Sequence, residues 1–160
     1  MDFSPTSEGY KIVYTNSSNE LRLTDIDGSV DTLITTEADE LSWRNGDKIA
    51  YEFSEGGYTY LGRIKADGTS VESLGENSIY SPQISNLNFE VIYGLALSDY
   101  RKINLGRNPL EETILVTSLN FVRPKLSFDD TKIVGGDLQQ SDINGVYVTD
   151  ISTGVTTQLR

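Results

Sequence analysis

The sequence contains no cysteine and no histidine, and it holds a single tryptophan. Without cysteine there are no disulfides, thiolate nucleophiles or zinc–thiolate sites. The compartment stays open, because extracellular proteins can also lack cysteine. The missing histidine excludes more: Ser-His-Asp and Cys-His arrangements, a histidine base and imidazole metal ligands. Catalysis would have to rest on carboxylates, Tyr, Lys or a bound hard cation. Positive charge is scarce too, with 13 Lys and Arg against 24 Asp and Glu and a net charge of -11. Nucleic acid is therefore not expected as a partner, since its phosphates would be repelled. No apolar run reaches the roughly 18 residues of a membrane span, and MDFSPTSEGY has neither the basic start nor the apolar stretch of a signal peptide. No membrane insertion is expected. A chain of 160 residues suffices for one domain with its own core.

What the sequence does have is an internal repeat. KIVY at 11–14, KIAY at 48–51, EVIY at 90–93 and KIVG at 132–135 put Ile12, Ile49, Val91 and Ile133 in one column, with steps of 37, 42 and 42 residues. Just upstream, DFS, ELS, QIS and KLS align Ser4, Ser42, Ser85 and Ser127, each behind an apolar Phe3, Leu41, Ile84 or Leu126. Downstream, ELRLTDIDG, YLGRIKADG, KINLGRNP and VYVTDISTG alternate apolar and polar residues up to a turn-forming group. A last short run then aligns Leu33, Leu74, Leu115 and Leu159. Period-2 alternation, β-branched and aromatic residues, and Gly, Asn, Asp or Pro between the runs predict four strands per unit. A four-stranded sheet of about 40 residues must bury both faces against neighbours, which is the requirement of a β-propeller blade. The expected fold is an all-β, single-domain propeller with four-stranded antiparallel blades at about 1–36, 37–78, 79–119 and 120–160.

FSPTSEGYKIVY resembles the repeat signature of TolB-type WD-like propellers, also seen in propellers of prolyl-oligopeptidase-type peptidases: an aromatic residue, Ser-Pro, a polar turn with Gly, then Lys-Ile-Ala or Val-Tyr. LSWRNGDKIAY carries Trp43 in place of the Pro, ISNLNFEVIY lacks the Gly and the Lys, and LSFDDTKIVG ends in Gly135 where the others have Tyr. The resemblance covers the whole chain and implies a propeller and a setting in the bacterial periplasm or envelope. It selects no function, since such propellers serve as docking platforms, peptidase gates and ligand-binding lids.

The segment DIDGSVD places Asp25, Asp27 and Asp31 around Gly28 and raises the question of a cation site. The matching turns, KADGTSVESL, NP at 108–109 and STG at 152–154, keep only turn chemistry. An EF-hand loop would need a further oxygen ligand before the Gly and a distant Glu. The segment is expected to be a two-residue hairpin with positive φ at both Asp27 and Gly28, with neither metal nor cofactor. Trp43 is expected to pack between blades, with stacking on a ligand as the alternative. Tyr58 and Tyr60 in EGGYTYLGR, and Tyr100 and Arg101 in ALSDYRK, are candidates for a partner-binding rim. Asp39, Glu40, Asp129 and Asp130 flank the inner-strand column and could face a central channel, and paired carboxylates are what a glycosidase needs.

The leading expectation is a non-catalytic binding module that presents loops and a channel mouth to a protein or peptide partner, preferably a basic one. A carbohydrate- or small-ligand-binding propeller, hydrolytic through paired acids, is the alternative. Four blades could close as one small ring, form half of an eight-bladed homodimer through the terminal blade faces, or belong to a longer propeller.

Overall fold

The computed structural model describes residues 2–159 apart from 7, 8, 45, 46, 78, 86–89, 96–98, 105–110, 118–120, 140 and 141. The described residues form sixteen strands in four antiparallel sheets, each built from four consecutive strands in chain order. Blade one holds β1 (Asp2–Thr6), β2 (Gly9–Thr15), β3 (Leu21–Asp25) and β4 (Asp31–Thr35). Blade two holds β5 (Ala38–Trp43), β6 (Lys48–Glu55), β7 (Tyr58–Lys65) and β8 (Glu72–Asn77). Blade three holds β9 (Ile79–Ile84), β10 (Glu90–Leu95), β11 (Asp99–Asn104) and β12 (Glu111–Thr117). Blade four holds β13 (Phe121–Leu126), β14 (Lys132–Gln139), β15 (Asp142–Asp150) and β16 (Thr156–Leu159).

The first strand of each sheet is the inner one. β5 packs against β1 and β2, β9 against β5, β6 and β7, and β13 against β9. The repeat columns explain why. Side chains alternate across a strand, so neighbouring residues of a second strand face the preceding and the following blade. Val13 and Ile49 share one core cluster, Ala50 and Val91 the next, Ile92 and Ile133 the third. KIAYEFSE in β6 is buried on both faces because blade two has a neighbour on each side, whereas the outer strands β4 and β16 are largely exposed.

Close approach shapes blade two. Tyr51 lies directly opposite Gly62 across β6 and β7, and a Cβ on Gly62 would fall 2.7 Å from Cζ and 2.8 Å from Cε1 of Tyr51. The Tyr51 ring is buried in the first core cluster with little room to retreat. Gly62→Ala is expected to destabilise the fold by about 1–3 kcal/mol, the usual cost of overpacking. Urea unfolding should show a lower midpoint at an unchanged slope.

The turns correct one expectation. In DIDGSVD only Gly28 takes a positive φ, 72°; the Gly28 N–H donates to the Asp25 carbonyl and the Asp25 N–H to the Val30 carbonyl. This is a longer loop than a two-residue hairpin. Asp27 instead caps the Ser29 N–H at 2.9 Å, a role open to Asp without a left-handed backbone. The two-residue turn with positive φ at both centres lies at Gly56 and Gly57, between Glu55 and Tyr58.

Candidate functional site

The inner strands of blades two, three and four share an irregularity. Ala38 pairs with Phe53 and Leu41 with Tyr51; Tyr80 pairs with Gly94 and Gln83 with Ile92; Val122 pairs with Gly136 and Lys125 with Val134. Each inner strand thus carries one residue more than its partner, a β-bulge over 39–40, 81–82 and 123–124 respectively. Ser81 accordingly has φ 52°. A bulge bends its strand and re-aims side chains. Here the three bulges converge on a pocket of about 220 Å³ lined by Asp39, Glu40 and Leu41 of blade two, Ser81 and Gln83 of blade three, Pro124 and Lys125 of blade four, and Thr15 of blade one. All four blades contribute, so the pocket lies where the inner strands come together.

Behind its wall sits Glu52 on β6, 4% exposed and outside the pocket lining. Ser81 ties the acids of blade two to blade three. Its N–H donates to Glu52 Oε1 and its hydroxyl donates to Glu40 Oε2. Burial, then the charge of Glu40, push Glu52 up to about 8, with Asp39 adding a smaller share and the Ser81 N–H opposing the shift. Glu52 therefore holds its proton through the neutral range. Gln83 is fixed by donating from Nε2 to the Pro82 carbonyl at 2.7 Å. The pocket is lined by residues 39–41 in β5, by 81 and 83 within β9, and by 124 and 125 towards the end of β13. Just after β5, Arg44 donates to the Ser127 carbonyl at 2.9 Å and to the Leu126 carbonyl, and meets Asp130 at 3.4 Å. This guanidinium joins blade two to blade four.

Trp43 is 1% exposed in the cluster with Val13, Leu21, Ile49 and Ile64. It packs between blades one and two, and a ligand-stacking role is not available to it. Tyr58 is exposed beside the Gly56–Gly57 turn, and Tyr60 stacks on Phe53 with ring centroids 5.5 Å apart. Phe53 also pairs with Ala38 at the start of β5, so this hairpin stands at the end of the blade where β5 begins, one residue before pocket-lining Asp39. The strands carrying Tyr100 and Arg101 meet at Leu95 and Asp99, and Leu95 pairs with Ile79 at the start of β9. Their backbone is thus at the matching end of blade three, while their side chains lie outside the described residues.

Of the acids singled out in sequence, Asp39 and Glu40 reach the pocket. Asp129 instead accepts from the Ser127 hydroxyl at 2.6 Å and from Thr131 in its own turn, and Asp130 takes Arg44. Asp25 pairs with Lys11 at 3.1 Å, and Asp31 accepts from Tyr14 and Arg22. Among the described residues no group of three acidic side chains is placed to hold a metal. Sequence reasoning missed Ser81, Glu52, Arg44 and the bulges. The available signal was Pro82 and Pro124, since proline inside a strand marks an edge or a bulge.

No protein-family model and no curated protein matches the chain. Solved structures do. TolB from Acinetobacter baumannii superposes with a TM-score of 0.80 at 17% identity, over 99% of this chain and 43% of its own. A chain of a nidogen/laminin complex gives 0.75 at 11% identity, over 96% and 60%. Oligogalacturonate lyase in complex with manganese gives 0.67 at 12% identity, over 99% and 52%. The chain thus spans between 43% and 60% of these three structures. Sheet order, blade stacking and superposition agree: this chain has the TolB-like β-propeller fold, in four four-stranded blades.

Proposed function

We propose that the chain is a non-catalytic binding module whose pocket face takes a basic protein or peptide segment. The observation that carries this reading is the pocket at the meeting of four blades, with Asp39 and Glu40 in its wall, on a chain of net charge -11. Among the described residues of its lining, Lys125 is the one basic side chain. A lysine or arginine side chain of a partner would be drawn in by this field. Exposed Tyr58 stands at the end of blade two where β5 begins, as an apolar contact, and tyrosine is enriched at such interfaces. Screening fluorescent peptides should yield Lys- or Arg-rich binders, with affinity falling as salt rises. Asp39→Asn with Glu40→Gln is expected to weaken them about tenfold, or roughly 1.4 kcal/mol. Binding indifferent to both salt and these substitutions would refute the reading.

One observation favours a second reading, a carbohydrate-binding propeller with hydrolysis. Glu52 is an acid that burial keeps protonated, with Glu40 nearby, and a pair of acids with one held protonated is what glycoside hydrolysis uses. It stands second because Glu52 lies outside the pocket lining, and a general acid must reach the leaving oxygen. Turnover of oligosaccharides that vanishes in Glu52→Gln would promote it over the first.

A further inference from the structure

Gln83 lines the pocket and is only 4% exposed. Its Nε2 donates to the Pro82 carbonyl, which turns the amide oxygen the other way, and among the described residues nothing donates to that Oε1. Buried side-chain acceptors rarely go without a donor. The two acids of the lining are not equivalent beside it. Ser81 holds a left-handed backbone, φ 52°, that few residues other than glycine adopt. From there its hydroxyl donates to Glu40 Oε2, so Glu40 has one oxygen engaged and Oε1 left for a guest. No described residue donates to Asp39. Asp39, Glu40 and Lys125 together leave one formal negative charge without a counter-charge in the lining. The volume of about 220 Å³ is below the roughly 300–1,000 Å³ of pockets that enclose drug-sized ligands. It has room for one side chain.

We propose that the pocket selects a single lysine side chain of the partner over an arginine, with Gln83 and the Ser81-bound Glu40 as the specificity-determining residues. The inference rests on the basic-segment reading above and narrows it to one chemical group. A lysine ammonium is a compact charge with three donors and no acceptor. Asp39, Glu40 Oε1 and Gln83 Oε1 offer it three acceptors on two blades. One ammonium also supplies the single positive charge that the lining lacks. Arginine has different needs, because its planar fork is best matched by a carboxylate with both oxygens open. Ser81 engages one oxygen of Glu40, and an amide oxygen cannot receive the fork at all. Leu41 and Pro124, both buried, give the lysine stem an apolar wall.

The test uses short Gly/Ser peptides that carry one central Lys, Arg, ε-N-acetyl-lysine or norleucine, titrated against the whole chain by calorimetry at low and high salt. The Lys peptide is expected to bind about tenfold more tightly than the Arg peptide, and the two uncharged peptides should show no binding. Gln83→Met keeps the side-chain length and removes the amide oxygen. It should weaken the Lys peptide about tenfold, the scale of a hydrogen bond to a charged group, and leave the Arg peptide nearly unchanged. Because this variant also loses the bond to Pro82, its circular dichroism is compared with that of the parent, and Ser81→Ala provides a second reading. Freeing both oxygens of Glu40 should favour the Arg peptide and narrow the gap between the two. Equal affinities for the Lys and Arg peptides, both falling with salt, would overturn this inference and leave the basic-segment reading standing. Binding of neither peptide, or binding indifferent to salt, would overturn both.

Discussion

Replacing Trp43 by alanine is expected to cost about 3–5 kcal/mol, the range for truncating a large aromatic side chain in a packed core. Domains are held by only about 5–15 kcal/mol in total, so this one change should bring the protein near its unfolding threshold. Trp43 closes the inner strand β5 and packs in one cluster with Val13 and Leu21 of blade one and Ile49 and Ile64 of blade two. Removing it empties the seam between two blades as well as part of one sheet. Urea unfolding followed by circular dichroism reads the loss, since the variant has no other tryptophan for fluorescence. Trp43→Phe should recover most of the stability. A cost below about 1 kcal/mol for the alanine variant would mean the ring is not in the seam, because such small losses are typical of surface positions.

The second large effect is in pH. Glu52 is raised from 4.5 to about 8, so between these values the folded chain keeps a proton that the unfolded chain has released. Stability must then fall as pH rises across this window, be fully present below it and level off above it. The window spans about 3–4 pH units at roughly 1.4 kcal/mol each, which sets an upper bound of about 5 kcal/mol, and relaxation or water entry around the buried carboxyl would lower it. Glu52→Gln keeps an oxygen to accept from the Ser81 N–H and carries no charge. It should abolish most of the decline and leave the variant more stable than the parent above pH 8, read as unfolding midpoints at pH 5, 7 and 9. An unchanged pH profile would mean that Glu52 ionises freely. The acid limb belongs to other groups. Asp150, held low by the Ser152 hydroxyl and the Thr153 N–H, and Glu72, held low by Arg63, are ionised in the fold and lose their contribution as pH drops below the ordinary carboxylate range.

Much of the fold was legible because a propeller repeats its physics. Ile49, Val91 and Ile133 recur since each second strand must bury the same position against the preceding blade, and the aligned residues fell on corresponding strands of four separate sheets. The DIDG segment was legible as a turn. Its exact type was not, because Asp-Gly suits both a two-residue turn and the longer loop seen here, and the pairing of Asp25 with Val30 decides between them. Tyr58 was legible as an exposed aromatic from its place beside Gly56 and Gly57. Nothing in the local sequence put Glu52 behind Glu40, since the two are separated by a turn and joined through Ser81 of another blade.

The sequence by itself determined what is local or periodic: an all-β chain, four units of four strands, a net charge of -11, and the exclusion of cysteine and histidine chemistry. Only the tertiary structure decided what depends on register between strands and contact between blades. The bulges at 39–40, 81–82 and 123–124 follow from how each inner strand pairs with its neighbour, and the pocket exists because three such strands bring their bulges together. The raised proton affinity of Glu52 and the bridge from Arg44 to blade four arise in the same way, from groups 29 to 86 residues apart. Side-chain pattern fixes which face of a strand is apolar, whereas long-range packing fixes what that face meets.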